Sequence, residues 1–208
     1  MESLHQLLNL VWTEEEIPND WKKGLLVKLP KSGDLSKCDK WRGITLLSIP
    51  SKVLTRVLLD RMKDAIDQEL KDEQAGFRKE RSCTDQIATL RVIVEQSIEW
   101  QTSLYVCFVD FEKAFDSVDQ QTIWNILSYY GVPDKFINII RLLYKDYTCQ
   151  VVHNGKLSEE FAVTTGVRQG CLLSPLLFLV VLDWVKKTGY ASFGKSIQWT
   201  FTKQNWKI

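Results

Sequence analysis

Hydrophobic positions in the first half of the chain predict short strands followed by two helices. Between residues 14 and 47, short apolar runs alternate with proline and glycine, which is typical of strands joined by turns. From Ser51 onward, apolar side chains recur at helical spacing, so we expect a helix that begins just after Pro50. A second helix is expected from residue 84 or 85, after a loop at residues 74–78. Its apolar face would be formed by Ile87, Leu90, Val94 and Ile98.

The middle of the chain combines one strand-like segment with two helical ones. Residues 104–109 are rich in aromatic and β-branched side chains and precede Asp110, which predicts a buried strand with an acidic residue at its end. Apolar periodicity predicts helices at residues 123–130 and 136–144. Gly131 between them suits the left-handed conformation in which many helices end.

The last third of the chain begins with a predicted hairpin. Asn154-Gly155, between the strand-like segments 147–153 and 157–163, is the dipeptide that best suits a tight turn. A loop with two glycines, residues 166–170, leads into a helix that starts near Ser174-Pro175, with serine as cap. This order of elements predicts an α+β fold rather than a doubly wound parallel sheet.

The composition is that of an ordinary globular chain. Its 208 residues are 45% hydrophobic and 25% charged, which is enough apolar material for one large or two small folded units. A net charge of +1 excludes the strongly basic character of a dedicated nucleic-acid binder, so any nucleic-acid contact must be local. Five widely spaced cysteines and two histidines argue against a zinc site or a disulfide framework.

The sequence shows no targeting or membrane signal. The residues after Met1 lack the apolar core of a secretory signal. The longest apolar stretch, residues 172–185, is interrupted by polar residues and proline and is too short to cross a bilayer. We therefore expect an intracellular protein, nuclear or cytoplasmic, with no membrane partner, and its oligomeric state stays open.

Two segments carry residues suited to chemistry. Asp110, at the end of a buried strand, could hold a divalent cation, although an aspartate in that position is more often a turn or helix cap. In residues 165–176, Arg168 and Gln169 lie between two glycines, so backbone could approach a ligand while the side chains donate hydrogen bonds to phosphate, sugar or base. Taken alone, this second segment is better explained as a glycine loop that caps a helix.

Together, residues 108–119 and 165–176 resemble the first and second palm motifs of reverse transcriptases from non-LTR (LINE-type) retrotransposons. Five further segments occur in the order that this family shows, in wording closest to its RTE-like branch. They are IPNDW at 17–21, LPKSGD at 29–34, WRGITLL at 41–47, QAGFR at 74–78 and YYGVP at 129–133. Because so many ordered matches are far more specific than one motif, the chain is identified as a member of this family.

The resemblance implies a partial right-hand polymerase fold that copies RNA into DNA with two magnesium ions (Mg2+). It implies a fingers subdomain at residues 1–100, an incomplete palm subdomain at 101–195, and a disordered or frameshifted tail at 196–208. The implied partners are an RNA template, a DNA primer and deoxynucleoside triphosphates. Two cations held by carboxylates would activate the primer hydroxyl and stabilise the leaving pyrophosphate oxygens.

The resemblance also implies roles for residues of the first palm motif. Asp110 is the implied catalytic metal ligand, and Phe111, counted with the nucleotide-binding residues, would help to hold the second ion through its backbone carbonyl. Phe115 is expected beneath the incoming sugar, where a bulky ring rejects a ribose hydroxyl, although core packing is the alternative. Asp116 has no assigned role and could be a helix cap or a ligand.

Four further residues are implied to contact the nucleotide. Lys31 and Arg42 match fingers residues that contact the triphosphate, a task suited to fixed cations, although both could be ordinary solvated charges. Gln169 and Gly170 match the loop that lines the nucleotide pocket.

One motif of the family does not occur in these 208 residues. The third palm motif, (Phe/Tyr)-Ala-Asp-Asp, supplies the remaining metal carboxylates in the family. We therefore expect a catalytically incomplete fragment, truncated before that motif, that does not polymerise DNA alone. Regrouping the codons from the last base of Asn205 gives Leu, Glu and then Asp or Asn, close to the family's usual approach to the motif, which favours a frameshift near Gln204.

Two other interpretations stay open. The first is a non-catalytic nucleic-acid-binding module that retains the fingers surface, with salt-sensitive phosphate contacts. Its cations would be Lys22, Lys23, Lys28, Lys31, Lys37, Lys40, Arg42, Arg78, Lys79 and Arg81. The second is a chain that does not fold stably, because an uncovered sheet leaves an edge or an apolar face exposed.

Overall fold

The chain folds into helices packed together and a mixed sheet. The structure, a computed structural model, describes residues 2–189. Within this range the helices are α1 (Glu2–Glu14), α2 (Ile49–Glu69), α3 (Cys83–Glu99), α4 (Gln120–Tyr129), α5 (Asp134–Tyr144) and α6 (Ser174–Gly189). The strands are β1 (Lys23–Pro30), β2 (Trp41–Leu46), β3 (Thr148–His153), β4 (Lys156–Leu157) and β5 (Phe161–Ala162). The predicted combination of helices with a sheet is confirmed. The fingers and palm boundaries stay a prediction, and the predicted tail at 196–208 lies outside the described residues.

Local capping signals set the starts of the helices. The Ser48 hydroxyl caps α2 by accepting the backbone N–H of Ser51 at 3.4 Å. The helix begins one residue before Pro50 instead of after it, so this proline occupies the first turn, where its missing N–H costs nothing. The Ser82 hydroxyl caps α3 through the N–H of Thr84 at 3.0 Å. Helices α2 to α6 therefore lie within a few residues of their predicted positions.

The sheet joins strands from distant parts of the chain. Its order is β2-β1-β3-β4, and β5 also pairs with β3. β1 is antiparallel to β2, with Leu25 opposite Leu46, and parallel to β3, with Lys23 beside Thr148. The parallel pair is a feature that the local sequence pattern did not predict.

The turn between β3 and β4 has the geometry expected from its sequence. Both central residues have positive φ, 49° at Asn154 and 73° at Gly155. This conformation matches the right-handed twist of the flanking strands, and asparagine followed by glycine is the dipeptide that adopts it at least cost. The hairpin prediction is confirmed. Gly131 likewise has a φ of 73° directly after α4, as predicted.

The apolar core lies mainly among α2, α4, α5 and α6. Each helix contributes fully buried side chains at helical spacing, so the periodicity of the sequence corresponds to the buried faces. The largest are Leu58 and Ile66 of α2, Ile123 and Leu127 of α4, Ile139 and Ile140 of α5, and Leu177 and Leu179 of α6. Among the described residues, no helix is long and apolar enough to cross a membrane.

A buried carboxylate ties three of these helices together. Asp183 of α6 has no exposed surface, and it accepts hydrogen bonds from the Tyr130 hydroxyl, which follows α4, and from the Lys187 ammonium at 2.9 Å. Its other oxygen accepts the backbone N–H of Lys71, beyond α2, at 3.2 Å. Since a buried charge needs several partners to be tolerated, this cluster fixes how the helix ends meet.

The predicted strand at residues 104–109 is wrong. These residues have no regular secondary structure, and the side chains of Tyr105 and Phe108 are 92% and 81% exposed. Within residues 2–189, no backbone hydrogen bond joins this segment to a neighbouring strand. A strand forms only where another backbone supplies hydrogen-bond partners, so its apolar composition alone was not sufficient.

Candidate active site

The two chemistry-bearing segments of the sequence lie against each other. The backbone N–H of Gly166 donates to the Val118 carbonyl at 2.8 Å, and that of Val167 donates to the Phe115 carbonyl at 2.7 Å. A Cβ atom on Gly166 would lie 2.7 Å from both the Asp116 Cα and the Phe115 carbonyl oxygen, and its φ is +77°. Glycine is therefore required here both by the close approach and by the backbone conformation.

Asp116 acts as a bridge between the two segments. Its Oδ1 accepts a hydrogen bond from Nε2 of Gln169 at 2.9 Å, across 53 residues of sequence. The helix cap is instead Asp119, whose Oδ2 accepts the backbone N–H of Thr122 at 2.7 Å. This N–H and the Thr122 hydroxyl hold the pKa of Asp119 below its usual range. The capping alternative for Asp116 is thus wrong, and its carboxylate orients the Gln169 amide.

The 165–170 loop also lies against the edge of β2. The Thr45 N–H points away from β1 and donates to the Gln169 carbonyl at 2.6 Å. Gly170 has a φ of +110°, and a Cβ atom there would lie 2.3 Å from the Thr45 carbonyl oxygen. The loop therefore connects the predicted first palm motif with the strand that carries Arg42.

Phe115 packs within the fold. Its ring is half-buried, stacks on Phe178 of α6 with centroids 4.9 Å apart, and meets Phe77 edge-on at 6.2 Å. Phe115 therefore makes the packing contacts that the alternative interpretation expected. A role beneath a nucleotide sugar stays a prediction.

Asp110 and Phe111 lie on the irregular segment that precedes the turn at residues 112–116, and both side chains are exposed. A carboxylate and a backbone carbonyl are hard oxygen donors of the kind that Mg2+ prefers. Among the residues that the structure describes, however, no three His, Cys, Asp or Glu side chains come together as a metal site. The described residues therefore include oxygen donors of the type that Mg2+ prefers, but too few carboxylates lie together to form a complete magnesium site.

Lys31 and Arg42 lie at the same end of the β1–β2 pair. Arg42 lies opposite Leu29, and Lys31 directly follows Pro30, the last residue of β1, with its N–H on the Lys40 carbonyl at 2.8 Å. Thr45, which contacts the glycine loop, is three residues beyond Arg42 along β2, so its side chain lies on the opposite face from that of Arg42. The Lys31 ammonium donates to the Asp39 carbonyl at 3.2 Å and is exposed, as is Arg42. The two exposed cations thus lie at one end of the β1–β2 pair.

Arg168 is a feature whose burial the sequence did not predict. Its side chain is only 4% exposed, and its guanidinium carbon lies 3.8 Å from the ring centre of Tyr147 and 4.7 Å from that of Tyr144. Within the described residues, none of its three side-chain nitrogens has a hydrogen-bond partner. Burial lowers the pKa of this guanidinium. Its place between two glycines suggested an exposed donor, since arginine is rarely buried without a partner.

Arg78, counted among the cations of a possible nucleic-acid surface, serves inside the fold. Its side chain is 4% exposed and pairs with the Asp67 carboxylate through Nε at 2.7 Å and Nη2 at 3.0 Å. Nη1 also donates to the Lys71 carbonyl at 2.7 Å. The hydrogen bond from Arg78 holds the pKa of Asp67 below its usual range. Arg78 therefore closes the loop after α2 and offers no donor to an external phosphate.

Comparison with known proteins identifies the class of this chain. A family model described as reverse transcriptase (RNA-dependent DNA polymerase) matches residues 29–199, and the chain belongs to this family. Its relatives include a transposon TX1 uncharacterized 149 kDa protein from Xenopus laevis, 29% identical over 86% of this chain and 14% of the relative. A second relative is the Pol polyprotein of retrotransposable element R2DM from Drosophila melanogaster, which is 27% identical over 92% of this chain and 18% of the relative. A third is the Pol polyprotein of retrotransposable element R2 from Popillia japonica, which is 30% identical over 80% of this chain and 23% of the relative.

These matches confirm the resemblance to reverse transcriptases of non-LTR retrotransposons, while the RTE-like branch stays a prediction. The chain spans less than a quarter of the length of each of these three relatives. The interpretation as a separate nucleic-acid-binding module is not favoured by them.

Proposed function

We propose that this chain forms the nucleotide-contacting and template-contacting part of an RNA-directed DNA polymerase, with fingers at residues 1–100 and part of a palm at 101–195. The observation that carries the proposal is the docking of the 165–170 loop on the turn at residues 115–118 and on β2. Three segments that resemble separate polymerase motifs thus meet in one region. The family to which the chain belongs gives the class of reaction.

Asp110 is proposed as a catalytic ligand of a divalent cation, assisted by the backbone carbonyl of Phe111. Mg2+, when bound, would supply the positive charge that activates a primer hydroxyl and stabilises a leaving phosphate. Because the described residues do not bring three carboxylates together, Asp110 is proposed as one ligand of a site to which further carboxylates contribute.

Lys31 and Arg42 are proposed to bind the triphosphate. Their position at the same end of the β1–β2 pair supports this role, because two neighbouring cations hold a polyanion better than either does alone. Both are exposed, and neither has a carboxylate partner within hydrogen-bond distance among the described residues.

Gln169, Gly170 and Phe115 are proposed to line the nucleotide pocket. The Gln169 amide is oriented by Asp116, and Gly170 permits the backbone approach to β2 that fixes the loop. The Phe115 ring is held by Phe178, so it could present a rigid edge to a sugar. An oriented amide and a fixed ring are the features that a pocket needs to distinguish one sugar from another.

Photolabelling with a deoxynucleoside triphosphate that carries a photoreactive base tests the proposal. The chain is irradiated with Mg2+ and an RNA template annealed to a DNA primer. We expect labelling that requires this hybrid and falls at least about tenfold in the Lys31→Ala/Arg42→Ala double variant, because two charge-assisted hydrogen bonds to phosphate are removed. Gln169→Ala is expected to lower labelling as well.

The matched control is Arg56→Ala, which removes a cation on the exposed surface of α2 that pairs with Asp60. Its labelling should equal that of the unchanged chain. Undiminished labelling in the Lys31→Ala/Arg42→Ala variant would contradict the assigned triphosphate contacts. Labelling that does not depend on the hybrid would contradict the polymerase role itself.

A further inference from the structure

The buried guanidinium of Arg168 has no counterion among the residues that the structure describes. The nearest groups that the structure describes around it are the rings of Tyr144 and Tyr147 and the thiols of Cys149 and Cys171, all neutral as long as they stay protonated. Residues 190–208 contain no aspartate or glutamate, so no side-chain carboxylate from that part of the chain can pair with it. Stacking on two aromatic faces recovers part of the cost of burying the cation but leaves its in-plane N–H groups unsatisfied.

Arg168 lies in the wall of a cavity of about 380 Å³ between the 165–170 loop and the sheet. This volume is well above the ~10–15 Å³ that a site needs in order to hold one water, so the cavity admits a small ligand. Thr45, Tyr144 and Tyr147 also line it. The Asp116 carboxylate reaches the same cavity, but it is already engaged by the Gln169 amide.

The two tyrosines whose rings cover the guanidinium carry neutral hydroxyl groups, which accept hydrogen bonds from the Arg168 backbone N–H at Tyr144 and from the Cys149 thiol at Tyr147. Burial raises the pKa of Tyr144 to about 12, and burial likewise raises the pKa of Tyr147 above its usual value. Both hydroxyls therefore stay protonated near neutral pH. A planar cation whose faces are covered can bind only through its edge, and that fork of N–H donors matches two oxygens of a tetrahedral oxyanion.

We propose that the cavity walled by Arg168, Tyr144, Tyr147 and Thr45 is a binding site for an oxyanion of the phosphate class. The anion pairs with the edge of the Arg168 guanidinium and takes further hydrogen bonds from the tyrosine hydroxyls. Since the nitrogens are covered in the ligand-free chain, binding includes a displacement of the loop that carries Arg168. The cavity shares Gln169 with the proposed nucleotide pocket, but Lys31, Arg42 and Asp110 do not line it, so anion binding through Arg168 can be tested without the polymerase assignment.

Thermal unfolding of the 208-residue chain with added anions tests this site. Inorganic phosphate, pyrophosphate and deoxythymidine triphosphate are compared at constant ionic strength, with a chelator that removes divalent cations. At a concentration 100-fold above the dissociation constant, the bound anion should raise Tm by roughly 5–10 °C. A response to inorganic phosphate or pyrophosphate identifies the free ion as the source, and a response to the triphosphate alone identifies a nucleotide phosphate.

Substitution of Arg168 separates binding from a purely structural role. Arg168→Met fills a similar volume without charge, so the anion response should vanish while the Tm without anion stays equal or rises. Arg168→Lys keeps the charge but not the fork, and should weaken binding at least about tenfold in a calorimetric titration. Arg56→Met, on the exposed surface of α2, is the matched control and should keep the full response.

Three results would overturn the site: no saturable response in the unchanged chain, an equal response to malonate, or an anion response retained by Arg168→Met. If Arg168→Met does not fold, the titration of Arg168→Lys decides the question. Unaltered phosphate affinity in that variant is then incompatible with binding through the guanidinium fork. Because these probes contain no template, primer or metal, failure here leaves the photolabelling test of polymerase function unaffected.

Discussion

Replacing Asp183 with alanine should destabilise the chain strongly. The carboxylate has no exposed surface, and it satisfies the Tyr130 hydroxyl, the Lys187 ammonium and the Lys71 backbone N–H. In Asp183→Ala the Tyr130 hydroxyl and the Lys71 N–H lose this acceptor, while Lys187, whose side chain is 28% exposed, keeps its charge and its hydrogen bond to the Glu69 carbonyl at 2.7 Å. The cost is therefore determined mainly by the donors that remain without an acceptor inside the fold.

The magnitude follows from how buried ion pairs behave when one member is removed. Removing one partner of such a pair costs about 3–5 kcal/mol, and each hydrogen bond to a charged group is worth about 1.5–3 kcal/mol. We expect a loss of about 3–5 kcal/mol of unfolding free energy for Asp183→Ala. For a chain of this length the corresponding fall in Tm is roughly 6–20 °C.

Urea denaturation, followed by circular dichroism, measures this loss, and a double-mutant cycle assigns it. Tyr130→Phe removes one donor and should cost about 1–3 kcal/mol alone, but little when Asp183 is already alanine. Val185→Ala, on an exposed position of the same helix, is the control and should change stability by about 0.5 kcal/mol or less. A cost below about 1 kcal/mol for Asp183→Ala, or equal costs of Tyr130→Phe in both backgrounds, would refute the reasoning.

The stabilising effect of Asp183 should also depend on pH. Burial, the strongest influence, raises the pKa of Asp183, but hydrogen bonds from Tyr130, Lys187 and the Lys71 N–H together hold it below its usual value. The carboxylate therefore contributes fully above the ordinary aspartate pKa of about 3.9, and its contribution is lost as pH falls through the lower pKa of the folded chain. The stability difference between the unchanged chain and Asp183→Ala should shrink below about pH 4.

Three further substitutions test other parts of the structure. Arg78→Met should lower the unfolding free energy by about 2–4 kcal/mol in urea denaturation, because Asp67 and the loop carbonyls lose their donor. Arg81→Met, which breaks an exposed pair with Asp72, should lower it by less than about 1 kcal/mol. Gly170→Ala places a Cβ atom 2.3 Å from the Thr45 carbonyl oxygen, so amide exchange should show faster opening of the Thr45 N–H. Gly189→Ala, whose added Cβ atom meets no atom of the described residues within 4 Å, should leave that rate unchanged. Asp116→Ala should lower photolabelling by freeing the Gln169 amide while changing Tm by no more than about 4 °C, and an unchanged label would show that this hydrogen bond does not position Gln169.

The parts of the fold that the sequence predicted are those set by near neighbours. Asn154-Gly155 determines its own turn, and Ser48 and Ser82 cap helices through groups two or three residues away. The strand predicted at residues 104–109 depends on a partner backbone, which no local pattern encodes, so its composition was misleading. The parallel pairing of β1 with β3 was missed for the same reason.

The candidate site shows the same division. Motif order correctly indicated the family, and the structure brings the predicted loop and turn together. The partner of Asp116 lies 53 residues away, so its role could not be deduced from its neighbours. The burial of Arg168 was equally invisible, since it depends on Tyr144 and Tyr147 arriving from another part of the chain. Sequence therefore indicated which segments matter more reliably than what each side chain contacts.

The parallel pairing of β1 with β3 also has a consequence for how the molecule assembles. Lys23 and Thr148 are neighbours in the sheet but lie 125 residues apart in the chain. During synthesis the β1–β2 hairpin emerges early, yet one of its edges must wait for β3, and the Thr45 N–H must wait longer still for Gln169. Closing such long loops is slow compared with forming local helices. We therefore expect the region that we propose to bind nucleotide to form late, after the local turns of the helices.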